Sequence, residues 1–331
     1  MGKRRQKTAH LTVKVAGGAT AQCLALMNAI YVKNKTSNKF QLKYFPYSTG
    51  TYWPFEIDFL LSDGERILEL GGTKGFDAIA NSEKLKVGKI IDKHPLQSKF
   101  LNYEKILVII RRLKLESKLL YLRGEIAIVA SKSNLDRVTS KTKAISGGFA
   151  AIVDSRVVDD MDFRFKRAGV NSPFSLDNSS RGKKVIAIHL RIGDKRATFT
   201  NPLVGRDGIT DPEVFREILE KLDLSSEYET YVISDEPEVA RDLLKTIGIS
   251  AKLNPKKGNI WDDIFFMSQA SVFIGSWSQV SQLAAVCVVS NGGEAFCPSS
   301  NLIGDKSAWH IEGVNYYKPR FLDKSNKIYE S

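Results

Sequence analysis

In the C-terminal half of the chain, short apolar runs alternate with stretches of helical spacing. Val185–Leu190, Glu229–Ile233, Ala251–Leu253, Val272–Gly275 and Glu294–Phe296 predict strands. Between them, Asp211–Leu222 (with Pro212 in its first turn), Pro237–Ile247, Ile260–Ala270 and Gln279–Val289 predict helices. Strands alternating with helices through short turns predict a parallel sheet covered on both faces. The N-terminal half opens in the same way: a strand at Leu11–Val15, a Gly17-Gly18 turn and a helix over Ala21–Val32. A strand at Phe40–Tyr44 and an aromatic, loop-like stretch at Tyr47–Phe59 follow. Ser98–Leu122 predicts a long amphipathic helix, and Glu125–Ala130 and Phe149–Asp154 predict strands, with a helix after the second. Asn171–Lys184, rich in Ser, Asn, Pro and Gly, is the best linker candidate. It divides the chain into an α/β domain over residues 1–180 and a second, Rossmann-like domain over residues 181–331 with a C-terminal tail.

Composition narrows the class. With 331 residues, 43% of them hydrophobic, the chain can build a core without disulfide staples. The three cysteines, Cys23, Cys287 and Cys297, form no secreted disulfide framework and no zinc-type spacing. No run approaches the roughly 20 apolar residues of a membrane span, and no apolar segment follows the basic start as a signal peptide would require. The expected location is therefore cytoplasmic, with peripheral contact at an anionic inner membrane face as an option. The formal net charge of +12 favours anionic partners, among them nucleic acid, anionic lipid and phosphorylated small molecules. No nucleic-acid-binding module is recognisable, so a nucleic-acid partner is not expected.

In a parallel sheet, ligands bind beyond the carboxyl ends of the strands, which directs attention to three loops. The first, VIAIHLRIGDK (Val185–Lys195), places His189 and Arg191 at a strand end, followed by Gly193 and Asp194. A permanently charged guanidinium beside a glycine turn suits a bidentate grip on phosphate, and Asp194 could fix Arg191 or His189 in place. The bland alternative is a surface Arg–Asp pair. The second, YVISDEP (Tyr231–Pro237), presents Ser234 and Asp235, which an ordinary helix N-cap would also favour. In the third, Val272–Ile274 runs into GSWSQ, so that Gly275, Ser276 and Ser278 lead into a helix N-terminus, where anions bind readily unless a serine is merely capping. Asp262 and Asp263 open the helix before it. Adjacent carboxylates at a helix start diverge, which argues against a metal pair. No Walker A loop is present, and no GxGxxG follows a strand.

The order His-x-Arg-x-Gly-Asp, then YVISDEP, then DIFFMSQASVFIGSWSQVSQLAA resembles the signatures of the fucosyltransferase superfamily, which includes α1,2- and α1,6-fucosyltransferases and protein O-fucosyltransferases. The likeness covers Val185–Ala285. HLRIG, with Ile192 in place of a second arginine, is closer to the protein O-fucosyltransferase form. The family opening, commonly GG-x-GNQ, is here GGATAQ: Gly17, Gly18 and Gln22 remain as possible residues of an N-domain cleft, while the Gly-Asn pair is replaced by Thr20-Ala21.

The resemblance implies a GT-B-like fold, with two Rossmann-like domains facing a cleft. It also implies GDP-fucose as co-substrate, a glycan or glycoconjugate acceptor, inversion at the anomeric carbon, and no metal or other cofactor. On that basis Arg191 would hold the β-phosphate and stabilise the departing GDP as the catalytic residue. His189 and Asp194 would support the donor, Asp263 would bind guanine or ribose, Ser276 and Ser278 phosphate, and Ser234 and Asp235 would line the nucleotide pocket. Inversion calls for a general base, for which Glu56 and Asp58 are the candidates. Tyr47, Tyr52 and Trp53 could stack on an acceptor sugar. The alternatives are an inactive nucleotide- or glycan-binding homologue, a transferase using another nucleotide sugar, and, from the charge alone, a nucleic-acid-binding protein.

Overall fold

A computed structural model of the chain describes residues 10–36, 39–45, 47–48, 51–52, 54–62, 65, 68–69, 126–128, 135–136, 138–139, 142, 144–146, 153–177, 184–196, 208–222, 224, 228–254, 258–299 and 311–322. The chain divides into two compact units: Met1–Val157 with Ser307–Trp309, and Val158–Lys306 with His310–Ser331.

The first unit is built on a parallel sheet. Its strands are β1 (His10–Ala16), β2 (Lys39–Phe45), β5 (Leu68–Glu69), β6 (Ile126–Ile128) and β7 (Ala144–Ser146), in the order β5-β2-β1-β7-β6. Alternate residues of β1, Leu11, Val13 and Val15, are buried, as the two-residue period of a strand dictates. The helix α1 (Ala19–Thr36) is buried without interruption from Ala19 to Ile30. Such a helix lies inside its unit and presents no polar stripe to water. The aromatic stretch forms a small antiparallel pair, β3 (Tyr47–Ser48) with β4 (Thr51–Tyr52), followed by a 3₁₀ turn at Asp58–Leu60.

The strand expected at Phe149–Asp154 lies, apart from Val153 and Asp154, outside the described residues; the described strand before it is β7 at Ala144–Ser146. Asp154 is a helix cap: its carboxylate accepts from the amides of Arg156 and Val157 at 3.1 and 3.3 Å. The helix expected over Ser98–Leu122, the side chains of Tyr47 and Tyr52, and Trp53 lie outside the described residues.

The second unit carries a six-stranded, all-parallel sheet. The strands are β8 (Val185–His189), β9 (Glu229–Ile233), β10 (Lys252–Leu253), β11 (Val272–Gly275), β12 (Glu294–Pro298) and β13 (Val314–Tyr317). Their order is β10-β9-β8-β11-β12-β13. Counted from β8, this is the doubly wound order 3-2-1-4-5-6. Ile186, Ile188, Val232, Val272 and Ile274 join one core with α3 (Glu213–Lys221) and α4 (Pro237–Thr246) through Val214, Phe215, Ile218, Leu243 and Leu244. Ala187 and His189 belong to the alternate set of β8, and His189 meets α6 (Gln279–Ser290). α6 packs beside α5 (Ile260–Ser268).

Within the segment expected to link the domains, residues 171–177 are part of this unit's packing. The helix α2 (Ser155–Arg167) sets Phe165 edge-on against Trp261 of α5, with ring centroids 5.4 Å apart, and against Phe174 at 6.0 Å. Gln269 accepts from the amide of Asp177 at 2.8 Å and donates to the carbonyl of Ser175 at 3.1 Å. Asn291 donates to the carbonyl of Pro173 at 3.1 Å. Backbone groups of residues 173–177 are thus paired by side chains despite their linker composition. The boundary between the units accordingly lies at Val157/Val158, inside α2, and not near residue 180.

Candidate functional site

The strand order reverses between β8 and β11, so the two crossovers run to opposite sides and leave a crevice at the carboxyl ends of these strands. Both leading sequence loops emerge at that point. The amide of Ser276 donates to the carbonyl of His189 at 2.9 Å, and the amide of Arg191 donates to Oγ of Ser276 at 3.0 Å. Arg191 and the Gly275–Ser278 turn are thereby fixed to one another.

Asp235 sets the shape of the first loop. Oδ1 accepts from the amide of Ile192 and Oδ2 from the amide of Gly193, both at 3.0 Å, and the guanidinium of Arg191 lies 3.2 Å from Oδ2. A Cβ on Gly193 would come within 2.5 Å of that oxygen, so only glycine admits the carboxylate here. Ser234 caps its own turn by accepting from the amide of Glu236 at 3.1 Å. Asp235 and Ser234, expected to line a nucleotide pocket, thus have defined local work: Asp235 holds the 191–193 turn, and Ser234 shapes the turn into α4. Arg191 remains partly exposed at the sheet edge, with 29% of its side chain accessible. The side chain of Asp194 lies outside the described residues.

His189 is buried, and its Nδ1 lies 2.7 Å from Oγ of Ser281 on α6. Burial, with the charge of Arg191 adding to it and that of Asp235 opposing, pushes its pKa down to about 4. At neutral pH His189 is therefore an uncharged tie between β8 and α6, not a second cation. Close approach of the strand to the helix permits this bond. A Cβ on Gly275 would meet Cβ of Ser281 at 2.6 Å and the ring of Phe273 at 2.9 Å. Ser276 is buried, with its hydroxyl oxygen accepting from Arg191. Ser278 is the N-cap of α6, accepting from the amide of Val280 at 3.1 Å. The capping reading therefore applies to Ser278, and any contribution of this turn to anion binding comes from the helix N-terminus itself.

At the third position along the same edge, Asp263 accepts from Nδ2 of Asn254 at 2.8 Å. Burial pushes the Asp263 pKa up; the bond from Asn254 opposes the shift and the neighbouring charge of Asp262 adds to it. Asp262 closes a capping box with Asn259, accepting from the Asn259 amide at 3.0 Å. The two adjacent aspartates thus serve different partners. Among the described residues no group of three or more His, Cys, Asp or Glu side chains gathers to hold a metal ion, and no helix is long and apolar enough to cross a membrane.

The N-terminal candidates form a separate local arrangement. Nε2 of Gln22 donates to the carbonyls of Gly17 and Pro54, each at 2.8 Å, and its Oε1 accepts from the amide of Glu56 at 2.9 Å. Oε2 of Glu56 accepts from the amide of Ala19 at 2.8 Å, at the start of α1. Gly18 accepts from the Gln22 amide at 3.1 Å. Gln22 is thus a staple for the 54–56 segment, and Glu56 lies on the N-terminus of α1. Asp58 is exposed in the 3₁₀ turn.

Two contributors to the C-terminal site were not singled out from the sequence. Ser281 looks like an ordinary small residue inside a helix. Asn254 follows a two-residue strand; a polar residue just past a strand end was the only available signal.

No family model matches the chain, and no curated protein matches it. Among solved structures it is similar to the fucosyltransferase NodZ from Bradyrhizobium (13% identity, 84% of this chain and 93% of that chain, TM-score 0.40). It is also similar to POFUT1 in complex with GDP (10% identity, 87% and 96%, TM-score 0.37). A third likeness is to a variant of Arabidopsis thaliana FUT1 in complex with GDP (10% identity, 88% and 70%, TM-score 0.38).

Proposed function

We propose that the chain is a glycosyltransferase that binds a nucleoside-diphosphate sugar, GDP-fucose in the first instance, at the carboxyl edge of β8 and β11. One observation carries this reading. At the switch point of a doubly wound sheet, a guanidinium held by a carboxylate stands beside a turn that leads into a helix N-terminus. Cleaving the bond between sugar and diphosphate builds negative charge on the departing nucleotide. A fixed cation and oriented amides stabilise that charge without a metal. Arg191 is the catalytic residue in this reading, and transfer proceeds with inversion to a glycan hydroxyl. His189 and Asp235 hold Arg191's loop, and Asp263 with Asn254 faces the base or ribose. The sequence signatures around HLRIGD, YVISDEP and GSWSQ support the choice of a GDP-sugar.

A thermal-shift screen against GDP, UDP, ADP and CMP, each with and without magnesium, tests the donor. The expected result is preferential stabilisation by GDP, independent of magnesium, following the linkage of ligand binding to stability. A preference for UDP would replace the donor, and no response to any nucleoside diphosphate would remove the reading.

A further inference from the structure

The Gly275–Trp277 turn is tied to β8 on one side. On its other side it is held by Tyr317 and Thr210. Oη of Tyr317, at the end of β13, donates to the carbonyl of Gly275 at 2.6 Å. The amide of Trp277 donates to Oγ1 of Thr210 at 3.3 Å, and Thr210 is fully buried. An amide donates and a carbonyl accepts, so Thr210 is the acceptor in the one bond and Tyr317 the donor in the other. The turn is thus gripped at both its carbonyl and its amide.

The grip is anchored in turn by the C-terminal segment. Thr210 bridges Phe321 in antiparallel fashion. The amide of Asp211 donates to the carbonyl of Arg320, and that of Leu322 to the carbonyl of Ile209, both at 2.9 Å. Phe321 meets Trp277 edge-on, with centroids 6.4 Å apart. Arg320 pairs with Glu217 of α3 at 2.8 Å.

We propose that Tyr317 and Thr210 are positioning residues for a diphosphate group: they fix the backbone of the Gly275–Trp277 turn and hence the direction of the first amides of α6 beside Arg191. The proposal rests on the donor-site reading above and extends it to a part of the chain, residues 208–211 and 317–322, that lies outside the three sequence loops. Neither residue touches the ligand. Their effect falls on the phosphates and leaves the nucleoside alone.

The test is isothermal titration of the full chain, wild type and the variants Tyr317→Phe, Thr210→Val, Thr210→Ser and the Tyr317→Phe/Thr210→Val pair, with GDP and with guanosine. Each bond is worth about 0.5–1.5 kcal/mol net, that is, roughly 2- to 10-fold in affinity. Tyr317→Phe and Thr210→Val are therefore expected to weaken GDP binding several-fold and leave guanosine binding unchanged. The double variant is expected to lose less than the product of the two singles, because both release the same turn. Thr210→Ser keeps the hydroxyl and is expected to bind GDP as wild type does. Unchanged GDP affinity in folded Tyr317→Phe overturns the proposal, even if its melting temperature falls. Equal losses for GDP and guanosine also overturn it. Wild-type protein that binds no nucleoside diphosphate overturns the donor-site reading itself and this proposal with it.

Discussion

Both units use the same local plan at the centre of a parallel sheet, a strand that ends in a glycine-containing turn and then a helix, yet they place an acidic side chain on opposite sides of it. In the first unit, Glu56 sets its carboxylate on the Ala19 amide at the start of α1, and Gln22 staples the surrounding segment. The position an anion would take is filled by the chain itself. In the second unit, Ser278 caps α6, and the nearby carboxylate, Asp235, is drawn beneath the 191–193 turn. There it holds a cation at the sheet edge and leaves the helix N-terminus facing it. Topology offers an anion position in each unit. The placement of one carboxylate decides whether that position is closed or charged to receive.

The sharpest way to break this contrast is to remove the cation. In the donor-site reading proposed above, Arg191→Ala deletes a charge-assisted contact to phosphate, worth about 1.5–3 kcal/mol in binding. GDP affinity is expected to fall roughly 10- to 100-fold, and transfer by about 10²- to 10³-fold, the range seen when one transition-state donor is lost. Arg191 is part-exposed and its ion pair with Asp235 contributes at most about 1 kcal/mol, so the melting temperature should change little. Titration and a coupled GDP-release assay on the folded variant provide the check. Wild-type transfer by Arg191→Ala would leave the second unit no better equipped than the first.

The C-terminal sheet was legible because its central strands, β8 and β11, are buried on both faces and therefore read as short apolar runs between turn residues. The β13 edge of the sheet was not. β13, with the sequence VNYY, exposes Asn315 and gave no apolar run, so the strand that carries Tyr317 went unseen. The same limit applies to the site. Arg191 and the GSWSQ turn announced themselves through charge and glycine at a strand end. The partner that fixes His189, Ser281, is 92 residues away, and nothing local to either residue signals the pairing. For Asp235 the sequence offers a pocket-lining or a helix-capping role; its hold on two backbone amides appears only once the 191–193 turn has closed. Within the expected linker Asn171–Lys184, residues 173–177 have the composition of a free segment, yet Gln269 and Asn291 supply hydrogen bonds to them from afar.

His189 sharpens the contrast by its pH dependence. Its folded pKa, about 4, lies below the usual value of about 6.5. Between those values the unfolded chain takes up a proton that the native state refuses, so stability rises with pH across that window. The contribution is complete above about pH 6.5 and is lost as pH falls toward 4, amounting to about 3 kcal/mol at roughly 1.4 kcal/mol per pKa unit. His189→Asn, which can keep a donor toward Ser281, is expected to flatten the dependence of denaturation midpoints between pH 7 and 4.5 relative to wild type. Parallel curves for the two proteins would mean that the imidazole is not held neutral between Arg191 and α6.

The smallest effect concerns the closed position in the first unit. Glu56→Ala leaves the Ala19 amide without its acceptor and is expected to cost about 1 kcal/mol, as the loss of a helix N-terminal partner does elsewhere. Glu56→Gln keeps an acceptor oxygen but not the charge, so it should cost only the charge–dipole part, about 0.3–1 kcal/mol. Salt separates the two contributions. Raising ionic strength from about 0.01 to 1 M shortens the screening length from roughly 30 to 3 Å. The gap between wild type and Glu56→Gln should then shrink, while the gap between Glu56→Gln and Glu56→Ala, which is a hydrogen bond, should persist. Denaturant midpoints at the two salt concentrations give both gaps. If the wild-type advantage over Glu56→Gln is untouched by salt, Glu56 acts there through geometry alone, and the carboxylate does not fill an anion position in the electrostatic sense that distinguishes the two units.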